Sequence, residues 1–354
     1  MSLPDGASSP PAPKPSRVVI GVLARNEALR IGDLLRDVGR QTLLVAADFD
    51  ISIAVVANGC SDRTAEVARE HFSHRRFAGV TTAVQEVDIP GKSNAWNEFV
   101  HSVVPCDTDF VFLLDGDIRI PEENSMLLVL RSLADNREAV VAVDRSVKDL
   151  ELEQPKGFTE RLIKIATGTA NDTRLAIAGA FYCARYSAIR GIWLPIGLPG
   201  EDGFLRAMLL TSSFTHEEDM SRHIFVEDAY HVFESLRDAR SVLRHNVRLA
   251  IGTALNIALF GELRRLRAAG EDVAEYIRKR NSADPTWVNE LIRRRLKASY
   301  FPLQPKWLLR RIQQRRSWRS ATALAIAVLG TAFDLIVFAK ATRLMRRGAG
   351  AGHW

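Results

Sequence analysis

Two carboxylates separated by one glycine, Asp115-Gly116-Asp117, follow directly on the apolar run Phe110-Val111-Phe112-Leu113-Leu114. An unbroken run of this kind reads as a parallel strand covered on both faces. The acids therefore stand at a strand's carboxyl end, where open α/β sheets collect their ligands. Hard divalent cations prefer oxygen, and magnesium or manganese is commonly held by one or two carboxylates together with phosphate oxygens. Asp115 and Asp117 are thus candidate ligands for a cation that offsets charge on a departing diphosphate, with Gly116 permitting close backbone approach. A solvated Asp-Gly turn is the structural alternative.

A second acid pair lies in Leu198-Pro199-Gly200-Glu201-Asp202-Gly203, ahead of a helix carrying Leu205, Met208 and Leu209. Carboxylates at a helix start complement the macrodipole. They equally supply a general base that takes a proton from a hydroxyl. Ala24-Arg25-Asn26-Glu27 ends the first strand, and the amides of the helix behind it favour an anion or acceptor group; Asn26 also suits a helix cap. Asn58-Gly59-Cys60-Ser61-Asp62-Arg63-Thr64 is a glycine turn with short polar side chains. It could read a nucleobase edge, Asp62 accepting from an imide N–H, or serve turn chemistry and capping through Ser61 or Asp62. Pro90-Gly91-Lys92 opens a helix and offers a point charge to phosphate, without the full P-loop pattern. Ala178-Gly179-Ala180-Phe181 is a small-residue strip against which a sugar ring could lie, or which packs strands closely.

These segments must be positioned by something, and the chain supplies it. Residues 18–23, 51–57, 80–87 and 110–114 read as strands. Between them Ile31, Leu34, Leu35 and Val38 share one helical face, as do Ala65, Ala68 and Phe72. Strands alternating with helices predict an α/β fold with a mostly parallel sheet flanked by helices. Over 354 residues, 47% hydrophobic and 25% charged content excludes wholesale disorder, and the net charge of +6 suits an anionic partner. Nucleic acid is not expected, because the basic clusters lack interleaved aromatic residues. Cys60, Cys106 and Cys183 show no metal-type spacing and fit a reducing cytosol; no secretory signal is visible. We divide the chain into a Pro-rich disordered leader (1–16), a catalytic unit (17–260), a basic helical extension (261–319), an apolar helix (320–342) and a basic tail (343–354).

Taken in order, the motifs resemble the family-two glycosyltransferases of the GT-A fold. Ala24-Arg25-Asn26-Glu27 resembles the opening A-x-N-E, and Asn58 to Thr64 the nucleotide loop with its first acid missing or shifted. Gly91-Lys92-Ser93-Asn94-Ala95-Trp96-Asn97 is similar to G-K-x-x-A-x-N, and Asp115-Gly116-Asp117 to D-x-D. Gly179-Ala180-Phe181-Tyr182 matches the donor strand, and Glu201-Asp202 the E-D pair. The resemblance spans about residues 17–252. It implies a nucleotide-sugar donor, a UDP-sugar first, with Mn2+ or Mg2+ and inversion at the anomeric carbon. It puts the base on Asp202 beside Glu201 and the metal on Asp117 with Asp115 assisting. Donor contacts fall to Ala24, Asn26, Glu27, Asn58, Asp62, Lys92, Asp115 and Gly179, with Glu27 and Asp62 toward uridine.

One departure narrows the activity. Processive synthases of this family carry Q-x-x-R-W, whereas the comparable stretch here is Arg244-His245-Asn246-Val247-Arg248-Leu249. With no cluster of membrane helices, single transfer to a lipid-linked, glycan or soluble acceptor is expected. His231 and His245 are either third metal ligands or ordinary hydrogen-bonded or surface histidines. Two other readings remain at this stage: a haloacid-dehalogenase-like phosphatase using Asp115 as nucleophile, and a non-catalytic nucleotide-sugar-binding scaffold on a membrane.

Residues 321–339 are long enough to cross a bilayer, but arginines and lysines flank both ends, which the positive-inside rule disfavours. Asp334 adds about 2.5–3.5 kcal/mol on insertion scales. An interfacial helix against anionic lipid, at the cytoplasmic face of a membrane, is expected; a soluble core helix is the alternative.

Overall fold

A computed structural model describes residues 14–152, 174, 176–177, 179–298, 308 and 321–348. Strands form where β-branched and aromatic residues run together: β1 (Ser16–Ala24), β2 (Phe49–Asn58), β3 (Thr81–Val87), β4 (Phe110–Asp115), β5 (Val141–Lys148), β6 (Phe181–Arg185) and β7 (His223–Phe233). They make a sheet of order β3-β2-β1-β4-β6-β5-β7. β1 runs parallel to β2 and β4, β2 to β3, and β5 to β7; β6 lies antiparallel between β4 and β5. Register sets Leu23 beside Asp115 and Ala24 beside Ala57, so the polar motifs end at one level.

Alternation along the central strands builds a core on each face. Val18, Ile20 and Val22 point toward α1 (Ile31–Val38), whose Ile31, Leu34, Leu35 and Val38 are all fully buried. Val19 and Leu23 point the other way, toward Trp96 and Phe99 at α3 (Lys92–Glu98) and its end. α2 (Thr64–Phe72) covers β2 and β3, and α4 (Ser125–Asp135) lies against β7 and β5. Short helices α5 (Asp149–Leu152) and α6 (Tyr186–Ile189) follow β5 and β6. α7 (Glu201–Leu210) carries the second acid pair, with Leu205, Met208 and Leu209 buried.

Beyond β7, α8 (Ala239–Ala268) starts at a cap in which Ser241 N–H donates to Asp238 at 2.9 Å. It packs against α7 on one side and against α11 (Ala321–Arg346) on another; α9 (Val273–Ala283) and α10 (Val288–Ala298) also touch it. Three expected boundaries move. Ser16, counted with the leader, opens β1 in register with Phe49; leader residues 1–13 lie outside the described residues. α8 runs unbroken through the boundary placed at 260/261, because no helix breaker stands there beyond the single Gly261. α11 continues into the basic tail as far as Arg346, since Lys340, Ala341, Arg343 and Leu344 are good helix formers. Arg310, Arg311, Arg315, Arg316 and Arg319 lie outside the described residues.

Candidate active site

The loops after β1, β2 and β3 are laced together by the short polar side chains that the sequence singled out. Asn26 adopts a left-handed backbone (φ 57°), and its Oδ1 accepts from Ser61 N–H at 2.8 Å. Glu27 N–H donates to Thr64 Oγ1 at 2.8 Å, and Ala28 N–H to Asp62 Oδ2 at 3.1 Å. Asp62 Oδ1 meanwhile accepts from Thr64 N–H at 3.0 Å in the first turn of α2. Asp62 thus does turn work just before α2, whose N-cap Arg63 makes no side-chain cap; burial pushes its carboxyl up, but these contacts outweigh it and hold the group below the ordinary range. Asn26 caps no helix, because a turn separates it from α1. Asn58 ties in the third loop by donating from Nδ2 to Gly91 O at 2.7 Å, and leaves its Oδ1 buried with no hydrogen-bond partner. Ala24, 1% exposed, ends β1 beneath these loops.

The D-x-D segment packs directly on the first of them. Asp115 N–H donates to Ala180 O and Gly116 N–H to Leu23 O, both at 2.9 Å. A Cβ on Gly116 would stand 2.8 Å from that of Ala24, so only glycine allows the approach. The chain leaving this segment is anchored by Asp37, a carboxylate on α1 that is 1% exposed. It accepts from Arg119 Nε at 2.6 Å and from Ile120 N–H at 3.1 Å. Sequence reasoning missed Asp37; the available signal was an acid within an otherwise apolar helical face.

Negative charge accumulates at this level. Glu27 is pushed up to about 7 by burial, then by Asp117, with Asp115 and Asp62 adding to it and only Arg30 opposing. Arg30 itself pairs with Glu234 at 2.5 Å. Asp115 is raised to about 6, chiefly by burial, while Lys92 pulls it down from 2.6 Å away. Lys92 and Asp115 are mostly buried, with 12% and 16% side-chain exposure. The Lys92 ammonium keeps its proton above the usual range: burial opposes this, but Asp115 and Glu201 outweigh it.

The second acid pair reaches the same place. Glu201 Oε1 is 3.9 Å from Lys92 Nζ, and its Oε2 is 3.4 Å from Arg248 Nη2. A Cβ on Gly179 would lie 3.2 Å from Lys92 Nζ and 3.3 Å from Asp202 Cβ, so the glycine is flanked by both. Asp202 is raised by burial and then by Glu201. Ala178 lies outside the described residues. The other polar residues of the Gly91 motif are braces: Asn94 donates to Ile89 O at 2.8 Å, Trp96 Nε1 to Tyr182 OH at 2.6 Å, and Asn97 Nδ2 to Leu194 O at 2.8 Å.

All the candidate residues therefore gather at one end of the sheet. The two histidines differ. His231 is fully buried on β7, its Nδ1 2.7 Å from Asp144 and its ring stacked on Phe181, the hydrogen-bonded alternative of the sequence reading. His245, on α8, loses proton affinity through burial and through the neighbouring cations Arg248 and Lys148.

The donor set fits a hard divalent cation. Asp115 Oδ1 is buried without a hydrogen-bond partner, Asp117 is two residues away, and the charge that raises Glu27 lacks an equal counter-charge. Among the described residues no three His, Cys, Asp or Glu side chains form a ready cage. That suits an ion completing its shell with phosphate oxygens and water.

Against curated proteins the sequence finds no match. Among solved structures, the chain is similar to the mannosyltransferase PcManGT from Pyrobaculum calidifontis, in complex with GDP-Man and Mn2+. The TM-score is 0.51 at 16% identity, covering 98% of this chain and 88% of that one. Mannosyl-3-phosphoglycerate synthase from Rubrobacter xylanophilus gives 0.46 at 20% identity, covering 72% and 75%. S. aureus TarS 1-349 gives 0.45 at 16%, covering 94% and 86%. The first likeness is one of fold. Residues 19–193 match the family model described as glycosyl transferase family 2, which removes the phosphatase reading: this chain carries a domain of that family on a GT-A fold and is a glycosyltransferase.

Proposed function

We propose that this glycosyltransferase moves a sugar from a nucleotide-sugar donor to a hydroxyl acceptor, once per encounter and with inversion at the anomeric carbon. Asp117, with Asp115 assisting, would hold Mn2+ or Mg2+. The observation that carries the reading is the convergence at Gly179: Lys92, paired with Asp115, and Asp202 both pack against the place where a Cβ of that glycine would stand. An inverting displacement needs a base within reach of the centre that the diphosphate leaves, and Asp202 lies beside the Lys92–Asp115 pair.

When bound, the cation would neutralise charge on the leaving diphosphate. The chain's own groups do the rest. Asp202 accepts the acceptor's proton, and its raised proton affinity makes it a stronger base than a solvated aspartate. Glu201, held between Lys92 and Arg248, supports that affinity by its charge. Lys92 offers a point charge to a phosphate oxygen, and Gly179, by lacking a side chain, lets Lys92 and Asp202 come together. Ala24, Asn26, Glu27 and Asn58 form the nucleoside side, in loops that Asp62 shapes through its bonds to Ala28 and Thr64, and the unpartnered Asn58 Oδ1 is an acceptor for a base N–H. A UDP-sugar is the donor we favour from the motif resemblance. GDP-mannose, bound in PcManGT, is the second candidate.

We assign catalysis to residues 17–260 and membrane docking to α11. No described helix is long and apolar enough to cross a membrane. The outer face of α11 nevertheless exposes Val328, Leu329, Leu335 and Ile336 by 54%, 72%, 51% and 55%, and continues into exposed Lys340, Arg343, Arg346 and Arg347. The opposite face buries Val337, Ala341 and Met345 completely. Aliphatic residues followed by cations on one face suit a helix lying in an anionic interface, which supports our reading of an enzyme that works at the cytoplasmic face of a membrane on a lipid-linked rather than a glycan acceptor.

The test is release of nucleoside diphosphate by purified protein with UDP-glucose, UDP-N-acetylglucosamine or GDP-mannose, with and without manganese. Manganese-dependent release that disappears in a folded Asp117→Ala variant is expected. Release that survives that substitution or chelation would remove the metal role; binding of nucleotide without turnover, with any donor and acceptor, would favour a non-catalytic scaffold.

A further inference from the structure

The loop that delivers the proposed base is held from behind by α8. Arg248, Gly252 and Asn256 recur every fourth residue, so they form one stripe along that helix. Each meets part of Pro199-Gly200-Glu201. Asn256, 8% exposed, donates from Nδ2 to Gly200 O at 3.0 Å. Gly252 lies so close to the peptide between Pro199 and Gly200 that a Cβ there would stand 2.2 Å from Pro199 O and 2.8 Å from Pro199 C. Arg248 reaches Glu201. The clamped segment is itself unusual: Gly200 has φ +78°, a left-handed conformation at the residue just before α7 begins. The loop thus turns sharply, and its shape is set by contacts with α8 backbone and with one amide.

We infer that Gly252 and Asn256 are positioning residues: by seating the Pro199–Gly200 peptide on α8 they aim Asp202 at the acceptor hydroxyl, without touching donor or acceptor themselves. This rests on the proposed role of Asp202 as base. Helix-on-peptide contact of this kind tolerates no side chain, so a methyl at Gly252 must push the loop away from α8 and carry the start of α7 with it. The geometry of proton transfer is demanding, and a displacement of about 1 Å can cost about 100-fold in rate. Asn256→Asp is the cleaner probe. It keeps the shape of the side chain and replaces the donor facing Gly200 O with an acceptor, which repels it.

The experiment compares wild type, Asn256→Asp, Gly252→Ala and Asp202→Asn. It follows manganese-dependent release of nucleoside diphosphate, with water as acceptor, from whichever of UDP-glucose, UDP-N-acetylglucosamine or GDP-mannose the wild type turns over. Positioning predicts that kcat falls at least about tenfold in Asn256→Asp and further, toward about 100-fold, in Gly252→Ala. The KM for donor should stay within about twofold, because the binding groups are untouched. The acid limb of the kcat profile should also move to lower pH as Asp202 leaves its half-buried seat. If Gly252→Ala does not fold, Asn256→Asp decides the matter. A folded Asn256→Asp with wild-type kcat and pH profile, while Asp202→Asn is dead, overturns the positioning and spares the base. A rise in donor KM at unchanged kcat likewise overturns it, in favour of a donor-binding role. Unchanged kcat in Asp202→Asn overturns the base reading itself, and the positioning with it.

Discussion

Lys92 and Asp202 converge on Gly179, whose missing side chain is what lets them approach: a Cβ there would be 3.2 Å from Lys92 Nζ and 3.3 Å from Asp202 Cβ. Both distances are tight, and neither neighbour is free to retreat. Lys92 is tethered to Asp115, and Asp202 sits in the first turn of α7. Gly179→Ala should therefore leave the fold in place and lower donor turnover about tenfold by pushing Lys92 and Asp202 out of place, a loss worth about 1.4 kcal/mol of transition-state stabilisation. Steady-state kinetics beside a thermal melt checks this; unchanged turnover would show that the glycine serves packing alone.

The two acids of the D-x-D segment should fail differently. Asp115→Asn removes the partner of a mostly buried Lys92, and breaking such a pair costs about 3 kcal/mol. No ion pair of Asp117 is present among the described residues, so Asp117→Asn should cost little stability while abolishing manganese-dependent release. Denaturant midpoints and turnover measured on both variants separate structure from chemistry.

Stability without metal should carry the signature of Glu27. Its carboxyl ionises at about 7 in the folded chain against 4.5 for the free side chain. Between those values the folded state keeps a proton that the unfolded state has released. The stability this contributes is complete below 4.5 and is lost as pH rises through about 7. Glu27→Gln cannot ionise, so in chelator its melting temperature should gain on wild type across that window. Manganese should reverse the trend, because a cation offsets the charge that raises Glu27. Parallel pH dependence of the two proteins would refute the assignment.

Membrane docking by α11 predicts co-sedimentation with vesicles containing anionic phosphatidylglycerol and much weaker binding to phosphatidylcholine alone. Leu329→Glu with Ile336→Glu should lower partitioning at least about tenfold, since burial of each aliphatic side chain contributes about 1.5–3 kcal/mol when complete. Arg343→Glu with Arg346→Glu should weaken the anionic preference, each cation being worth about 1 kcal/mol near the surface. A wild-type protein that ignores both vesicle types, or that dimerises through this face, would end the docking role.

The architecture was largely legible because local pattern and tertiary demand agree. The β1, β2 and β4 runs are apolar on both sides since the sheet is covered on both faces, and the period of Ile31, Leu34, Leu35 and Val38 is that of one buried stripe. Ser16 and the helix running through 260 were misplaced because end residues are set by partners, Phe49 across the sheet in one case and continued packing in the other.

Sequence by itself determined which chemistry was available: acids after an apolar strand, a lysine at a helix start, a small-residue strip and a second acid pair, in an order specific to one family. Spacing along the chain carries no information about which side chain a residue 33 or 86 positions away will meet, as Asn58 meets Gly91 and Trp96 meets Tyr182. Only the folded chain decided that Asp62 is spent on loop amides, that His231 is bound to Asp144, that Asp37 braces the segment after Asp117, and that Gly252 and Asn256 back the Glu201-Asp202 loop. Those outcomes depend on burial and on hydrogen-bond partners brought in from distant elements, since a polar group removed from water must find its partner wherever the fold places one.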